Sequence, residues 1–487
     1  MTEKREEELD EGLEAVLATE QLTPEEDKRI MRRIDTCLLP IMAISYMFQF
    51  LDKTALSFTA IMGLRDDLNL KGSDYSWASS IYYFGYLVAS YPAGLLMVRW
   101  KVGKTIALSI LVWGGVLLSA GGCRNDKGLM AVRFFLGVTE SAIAPALTVV
   151  ISMWYKRSEQ PLRHAGWFVG NTFAGIIGGL LAYAIGHIRS IAPWKAVFFI
   201  FGGLTMAWSF CILLLMPDTP MKSWFLNKED SAKAMVRVKD NMTGIKSDKI
   251  KWSQCIEALT DIKTWIMAGI MISVNIPNGA LSSFGAIVIE GLGFNKLHSL
   301  LLQGGSYFVQ LFAVILSTAG SSYFTNTRTY WVVCNFCLAI MGASLLRQLP
   351  EHLLWGRYAG KCLTTAAAAN FPLLMSLSSG NVGGFTKKST VNAIVFIIYC
   401  TGNIIGPQLF IEEEAPSYNS GFLAIMICYG VGIAFAFSLR FYLARENRRR
   451  DQVSGGQDAE ENAELDGNVA AMLDKTDKEI PQFRYVY

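Results

Sequence analysis

Residues 131–155 read AVRFFLGVTESAIAPALTVVISMWY, a run long enough to cross a bilayer yet carrying Arg133 and Glu140 inside it. About 20 apolar residues span the hydrocarbon core. A charge near its centre costs roughly 2.5–3.5 kcal/mol on insertion scales. Two such charges in one span need partners or a watery lining. Arg133, Gly137, Glu140 and Ala144 recur at i, i+4, i+7 and i+11, which sets them on one helical face. That face is incompatible with lipid. It lines a polar interior, and the rest of the sequence must supply the other walls.

The composition agrees. Of 487 residues, 52% are hydrophobic and only 17% charged, with a mean hydropathy of +0.31, against about 25% charged in soluble domains. A net charge of +3 is too small to suggest a nucleic-acid partner. The nine cysteines are scattered, and the Cys334-x-x-Cys337 pair lies in an apolar run, where small packing residues are the simplest reading. The four histidines never pair at i, i+4, so no metal site is expected. The first 34 residues turn from acidic to basic without a short apolar core or cleavage site. The first span is therefore expected to act as its own uncleaved insertion signal.

Other stretches of spanning length run over 36–57, 77–98, 105–122, 164–187 and 194–216, then over 264–289, 299–320, 329–346, 353–377, 390–411 and 421–443. The expectation is an all-α membrane protein with twelve transmembrane helices in two pseudo-symmetric six-helix bundles. The bundles cover 35–216 and 264–443, and a basic central loop over 217–263 joins them. Tails of 1–34 and 444–487 flank the bundles, the second read as disordered from its charge. Arg133 and Gly137 have an echo in Arg357 and Gly360, and Gly170-Asn171 a looser one in Gly402-Asn403. Paired halves with a midplane cavity are a common transporter design. Lysine and arginine concentrate in the tails, the central loop and the loops on their side, which puts both termini in the cytosol.

Several polar groups fall inside these spans. Asp52 and Lys53 lie three-quarters along the first, at a depth comparable with Arg133, so Asp52–Arg133 or Glu140–Lys53 pairing is open. One reading is an orienting ion pair. The other has Glu140, or Asp52, bind and release a proton, because burial and neighbouring charges set a carboxyl's proton affinity. Lys53, Arg357 and Lys361 are cations from both halves suited to an anionic substrate, and Arg133 is a further substrate-binding candidate. Arg357, nearer a helix start, reads equally as an interfacial residue. Asn171, Asn275, Asn278, Gln310 and Asn403 are candidates for the neutral polar walls. Pro277 and Gly279 are expected to loosen the seventh span. Tyr82, Tyr83 and Tyr86 read as packing.

The segments RRIDTCLLPI, QFLDKTALS, GLRDDLNLKGSDYSW, RFFLGVTES, NIPNGALSSFG and NAIVFIIYCTGNIIGPQLF together resemble the fungal allantoate permease family. That family consists of anion:cation symporters of the major facilitator superfamily, and the resemblance spans residues 32–441. It implies alternating access and proton-driven uptake of small organic anions such as allantoate, ureidosuccinate, nicotinate or pantothenate. No cofactor is implied beyond the proton as coupling ion. It also implies that Asp52, Lys53, Arg133, Gly137, Glu140, Asn275, Pro277, Asn278, Gly279, Asn392, Gly402, Asn403, Gly406, Pro407 and Gln408 match family motifs. The loop after the second span departs from the superfamily pattern, with Gly94, Arg99, Gly103 and Lys104 but no acidic residue. The expected protein is a monomeric plasma-membrane symporter. A nutrient sensor that binds such a ligand without net transport is the alternative, and an enzyme is excluded by the lack of a catalytic cluster.

Overall fold

Thr23 starts the first helix with a reciprocal cap. Its hydroxyl accepts from the Glu26 N–H at 3.3 Å while the Glu26 carboxylate accepts from the Thr23 N–H at 3.1 Å. Pro24 and the acidic first turn Glu25–Asp27 complete the signal. The helix therefore begins about three turns before the expected span. The computed structural model describes residues 23–156, 159–243, 251–454, 475–480 and 483–487.

Among the described residues twelve helical passes follow one another. In the N-terminal half they are α1 (Pro24–Thr59), α2 (Asp74–Arg99), α3 (Val102–Ala120), α4 (Asp126–Glu140, resuming as Ile143–Trp154), α5 (Gln160–Ile185) and α6 (Pro193–Leu215). In the C-terminal half they are α7 (Ile262–Gly291), α8 (Lys296–Tyr323), α9 (Arg328–Gln348), α10 (Leu354–Thr364, a 3-10 turn, then Asn370–Asn381), α11 (Phe385–Ile405) and α12 (Asn419–Ser454). Among the described residues nine helices are long and apolar enough to span a membrane. Of the remaining passes, α10 is interrupted by its 3-10 turn.

The halves repeat one packing scheme. In each, the first helix packs on the fifth and the third on the sixth. A Cβ on Gly170 of α5 would lie 2.2 Å from the Ala43 carbonyl oxygen of α1. A Cβ on Gly406, just past α11, would lie 2.2 Å from the Ile276 carbonyl oxygen of α7. Pro277 does not break α7, which runs unbroken through it. Gly279 serves instead to bring α11 close, since its Cβ would meet Asn403 Cα at 2.8 Å.

An even number of passes puts both ends of the membrane region, with the central insert, at one end of the molecule. The halves are stitched together at the other. There Ser76 Oγ donates to the Pro407 carbonyl at 2.9 Å, Ser80 Oγ to that of Ile404 at 2.7 Å and Tyr75 Oη to that of Ser283 at 2.7 Å. Arg65, just past a π turn where Gly63 takes φ +101°, pairs with Glu412 at 2.6 Å. Among the described residues the inter-half hydrogen bonds stop at Tyr83–Asn403, and none joins the halves at the terminal end.

Two expectations about the terminal end are corrected. The insert is more than a loop: it holds helices Lys228–Thr243 and Trp252–Thr260. Asp230 accepts from Arg29 at 2.7 Å and Arg33 at 2.9 Å, and Arg237 pairs with Asp27 and Glu159. Of the tail read as disordered, 455–474 lies outside the described residues, but Thr476, Asp477 and Tyr485 are buried. Lysines and asparagines of the bundle supply the partners that a charge count along the tail cannot see. The missing acidic residue near the second-to-third loop also comes from elsewhere, as Asp218 accepts from the Gly103 N–H at 3.1 Å.

Candidate functional site

Gly137 sets the geometry. A Cβ there would lie 1.9 Å from the Tyr82 carbonyl oxygen, so α4 meets α2 backbone to backbone. One turn on, Glu140 Oε2 accepts from Tyr82 Oη at 2.5 Å. Glu140 also ends the first segment of α4, which loosens at Ser141 and Ala142 before resuming. On the other side of Gly137, Arg133 places its guanidinium 5.3 Å from the Tyr82 ring centre and donates Nε to the Ala78 carbonyl at 3.3 Å. The sequence-predicted face of α4 thus turns as a unit onto α2. Among the described residues, Glu140 Oε1 and Arg133 Nη1 are buried without a partner. Each unsatisfied polar atom costs about 1–3 kcal/mol, so both atoms call for a partner such as water, a proton or a ligand.

Lys53 holds its ammonium 5.0 Å from the Tyr83 ring and 5.8 Å from that of Phe50, a cation–π arrangement. Among the described residues it has no ion-pair partner. Tyr83 Oη in turn donates to Asn403 Oδ1 at 3.1 Å, which also accepts from Asn278 Nδ2 at 3.1 Å. Asn403 Nδ2 donates to Asn275 Oδ1 at 3.2 Å and to the Tyr399 carbonyl at 2.8 Å. The Tyr82 and Tyr83 rings meet edge to face with centres 5.0 Å apart. A path of hydrogen bonds, ring contacts and cation–π contacts therefore runs from Glu140 and Arg133 on α4, through α2 and past Lys53 on α1, to three asparagines on α7 and α11.

The other expected residues stand apart from that path. Asp52 turns toward α6, where its Oδ2 accepts from Thr205 at 2.9 Å, and its Oδ1 is buried without a partner among the described residues. Neither ion pair held open by the depth argument is formed among the described residues. Neighbours on a helix differ by about 100°, so Asp52 and Lys53 cannot both face α4, and Glu140 is engaged by Tyr82. Lys361 is 1% exposed on α10, its ammonium without a hydrogen bond or ion pair among the described residues. Gln310 is buried on α8 with no side-chain hydrogen bond there, and Asn171 Oδ1 is buried and unpartnered on α5. Among the described residues no hydrogen bond connects these three to the path. Arg357 donates Nε to the Leu346 carbonyl at 3.3 Å.

The residues missed are Tyr82, Tyr83 and Thr205. Both tyrosines read as packing because a hydroxyl's partner across helices leaves no periodicity in its own strand of sequence. The signal was indirect: a glycine one turn before an intramembrane glutamate marks the helix that glutamate will touch.

Residues 42–407 match the sequence profile described as Major Facilitator Superfamily. An uncharacterised transporter of Schizosaccharomyces pombe, C757.13, is 35% identical over 95% of this chain and 88% of its own. The allantoate permease of Saccharomyces cerevisiae is 33% identical over 96% of this chain and 87% of its own. Among solved structures, a bacterial homologue of the human lysosomal transporter Spinster superposes with a TM-score of 0.62 at 15% identity, covering 86% of this chain and 98% of that one.

Proposed function

The chain belongs to the major facilitator superfamily and, within it, to the allantoate permease family; from that premise we propose that it imports a small organic anion together with protons. It is a multi-pass membrane transporter rather than an enzyme. The observation that carries the finer reading is the path itself, in which a buried carboxylate and two cations meet an amide cluster from the opposite half.

Lys53 and Arg133 provide positive charge for a carboxylate, which strengthens hydrogen bonds made to it. The amides of Asn275, Asn278 and Asn403 offer neutral donors and acceptors for the remainder of the substrate. Glu140 takes the proton, with Tyr82 Oη as its fixed hydrogen-bond partner and its free oxygen as the position that protonation or substrate changes. With both termini cytosolic, the serine and tyrosine stitching seals the extracellular end, and the state described is inward-facing. One proton crossing 100 mV supplies about 2.3 kcal/mol, so uphill uptake follows if protons outnumber the anion's charge.

Purified protein in liposomes tests this. Labelled allantoate, ureidosuccinate, nicotinate and pantothenate are offered with and without an inward proton gradient. Accumulation above equilibrium only with the gradient is expected for at least one of them. Equilibration that ignores the gradient would reduce the protein to a facilitator.

A further inference from the structure

We propose that the terminal-end groove between α7, α11 and α12 is a peptide-binding site whose resident ligand is the chain's own residues 476–480 and 483–486. Occupancy of the groove straps the ends of those helices together. This inference does not depend on which anion is carried.

The segment is held by two kinds of contact. The first reads side chains. Asp477 is fully buried and bridges two cations, Lys263 in the first turn of α7 and Lys387 in the first turn of α11, the latter at 2.7 Å. Tyr485 Oη donates to Asp477 Oδ2 at 2.8 Å and accepts from Arg450 Nη2 of α12 at 2.9 Å. The second reads main chain. Asn447 bonds both the N–H and the carbonyl of Tyr485, at 2.9 and 2.8 Å. Asn381, at the end of α10, does the same to Val486, at 2.7 Å each. Arg450 Nη1 donates to the carbonyls of Asp477, Ile480 and Phe483 at 3.0, 3.2 and 3.0 Å.

Paired N–H and carbonyl bonds from side-chain amides do what a neighbouring strand does in strand-addition recognition, with an anionic anchor for specificity. Apolar collapse alone would not satisfy donor and acceptor at two successive residues. Both lysines also face Asp261, and Lys387 faces Glu257 at 2.8 Å, so the bundle side stays balanced when the segment leaves.

The test uses the full chain in nanodiscs and a fluorescent synthetic peptide of residues 475–487 added in trans. Asp477→Asn and, separately, Val486→Pro weaken the resident segment without altering a bundle residue; the second removes the N–H given to Asn381 and constrains the backbone at Tyr485. Expected is at least tenfold more peptide bound to either variant than to the parent, whose groove is filled. Binding is expected to be lost when Lys387→Met is added. Amide hydrogen exchange at residues 266–269 and 389–392, in the second turns of α7 and α11, is expected to accelerate about tenfold in both variants. Equal peptide binding by parent and variants, or unchanged exchange with no binding, would overturn the proposal. Neither readout needs transport, so failure here is separable from failure of the symport reading.

Discussion

The two halves bring different chemistry to one interface. The N-terminal half contributes charge, with Lys53, Arg133 and Glu140 arrayed around Tyr82 and Tyr83. The C-terminal half answers with neutral amides, Asn275, Asn278 and Asn403. The helix packing repeats between the halves, and Gly170 and Gly402 each press a fifth helix onto a first, but the echo of Gly137 in Gly360 does not repeat. Gly137 presses α4 onto α2, whereas Gly360 presses α10 onto α9, where a Cβ would lie 2.7 Å from the Gly342 carbonyl oxygen. A scaffold can thus stay pseudo-symmetric while its site becomes one-sided. The charged side suits coupling, and the amide side suits recognition of a ligand's neutral parts.

Substitutions on the charged side should break transport hardest. Glu140→Gln keeps an acceptor for Tyr82 yet cannot exchange a proton, and is expected to lower gradient-driven uptake about 100-fold while leaving anion exchange across the membrane intact. Lys53→Met removes a cation with no competing partner. It is expected to raise KM about 10- to 100-fold, the range for a hydrogen bond to a charged group, with the maximal rate less affected. On the amide side, Asn403→Ala leaves Tyr83, Asn278 and Asn275 without their shared partner. A ten-fold weaker affinity, about 1.4 kcal/mol, is expected for every anion carried, and direct binding calorimetry checks it. Tyr83→Phe removes one hydroxyl between the halves and is expected to change KM only about 2- to 5-fold.

The smallest effect concerns pH at the terminal end. Burial pushes the Asp477 carboxyl up, and Lys263 and Lys387 more than reverse it, leaving it at about 2. A depressed folded-state value contributes stability that is present above the ordinary value of 3.8 and is lost as pH falls toward 2. Facing it are Lys263 of α7, Lys387 of α11, Tyr485 of the segment itself and Asp261 before α7. Docking of the segment, followed by hydrogen exchange at residues 476–486, is expected to be flat between pH 5 and 8.

How much of this was legible in the sequence depends on what kind of signal each feature leaves. The passes were readable because a helix that crosses lipid must be apolar over its whole length. The α4 face was readable because Arg133, Gly137 and Glu140 carry their own 3.6-residue period. The partners of those residues were not. Whether Lys53 or Asp52 faces α4 depends on the rotation of α1, which no local pattern fixes, and the ion pairs drawn from depth alone failed for that reason. Tyr82 became visible only once Gly137 showed which helix it touches. The docked tail lay furthest out of reach, since Asp477 finds its lysines more than 200 residues away in one case and within a stretch whose composition reads as solvated.

The division of labour between the halves meets its most direct test in liposomes loaded with a pH-sensitive dye. Addition of a transported organic anion outside should acidify the lumen through the parent protein. The Glu140→Gln variant should admit the anion in exchange for anion inside with no acidification. Equal acidification through both proteins, or anion accumulation by the parent without proton entry, would contradict the role given to Glu140.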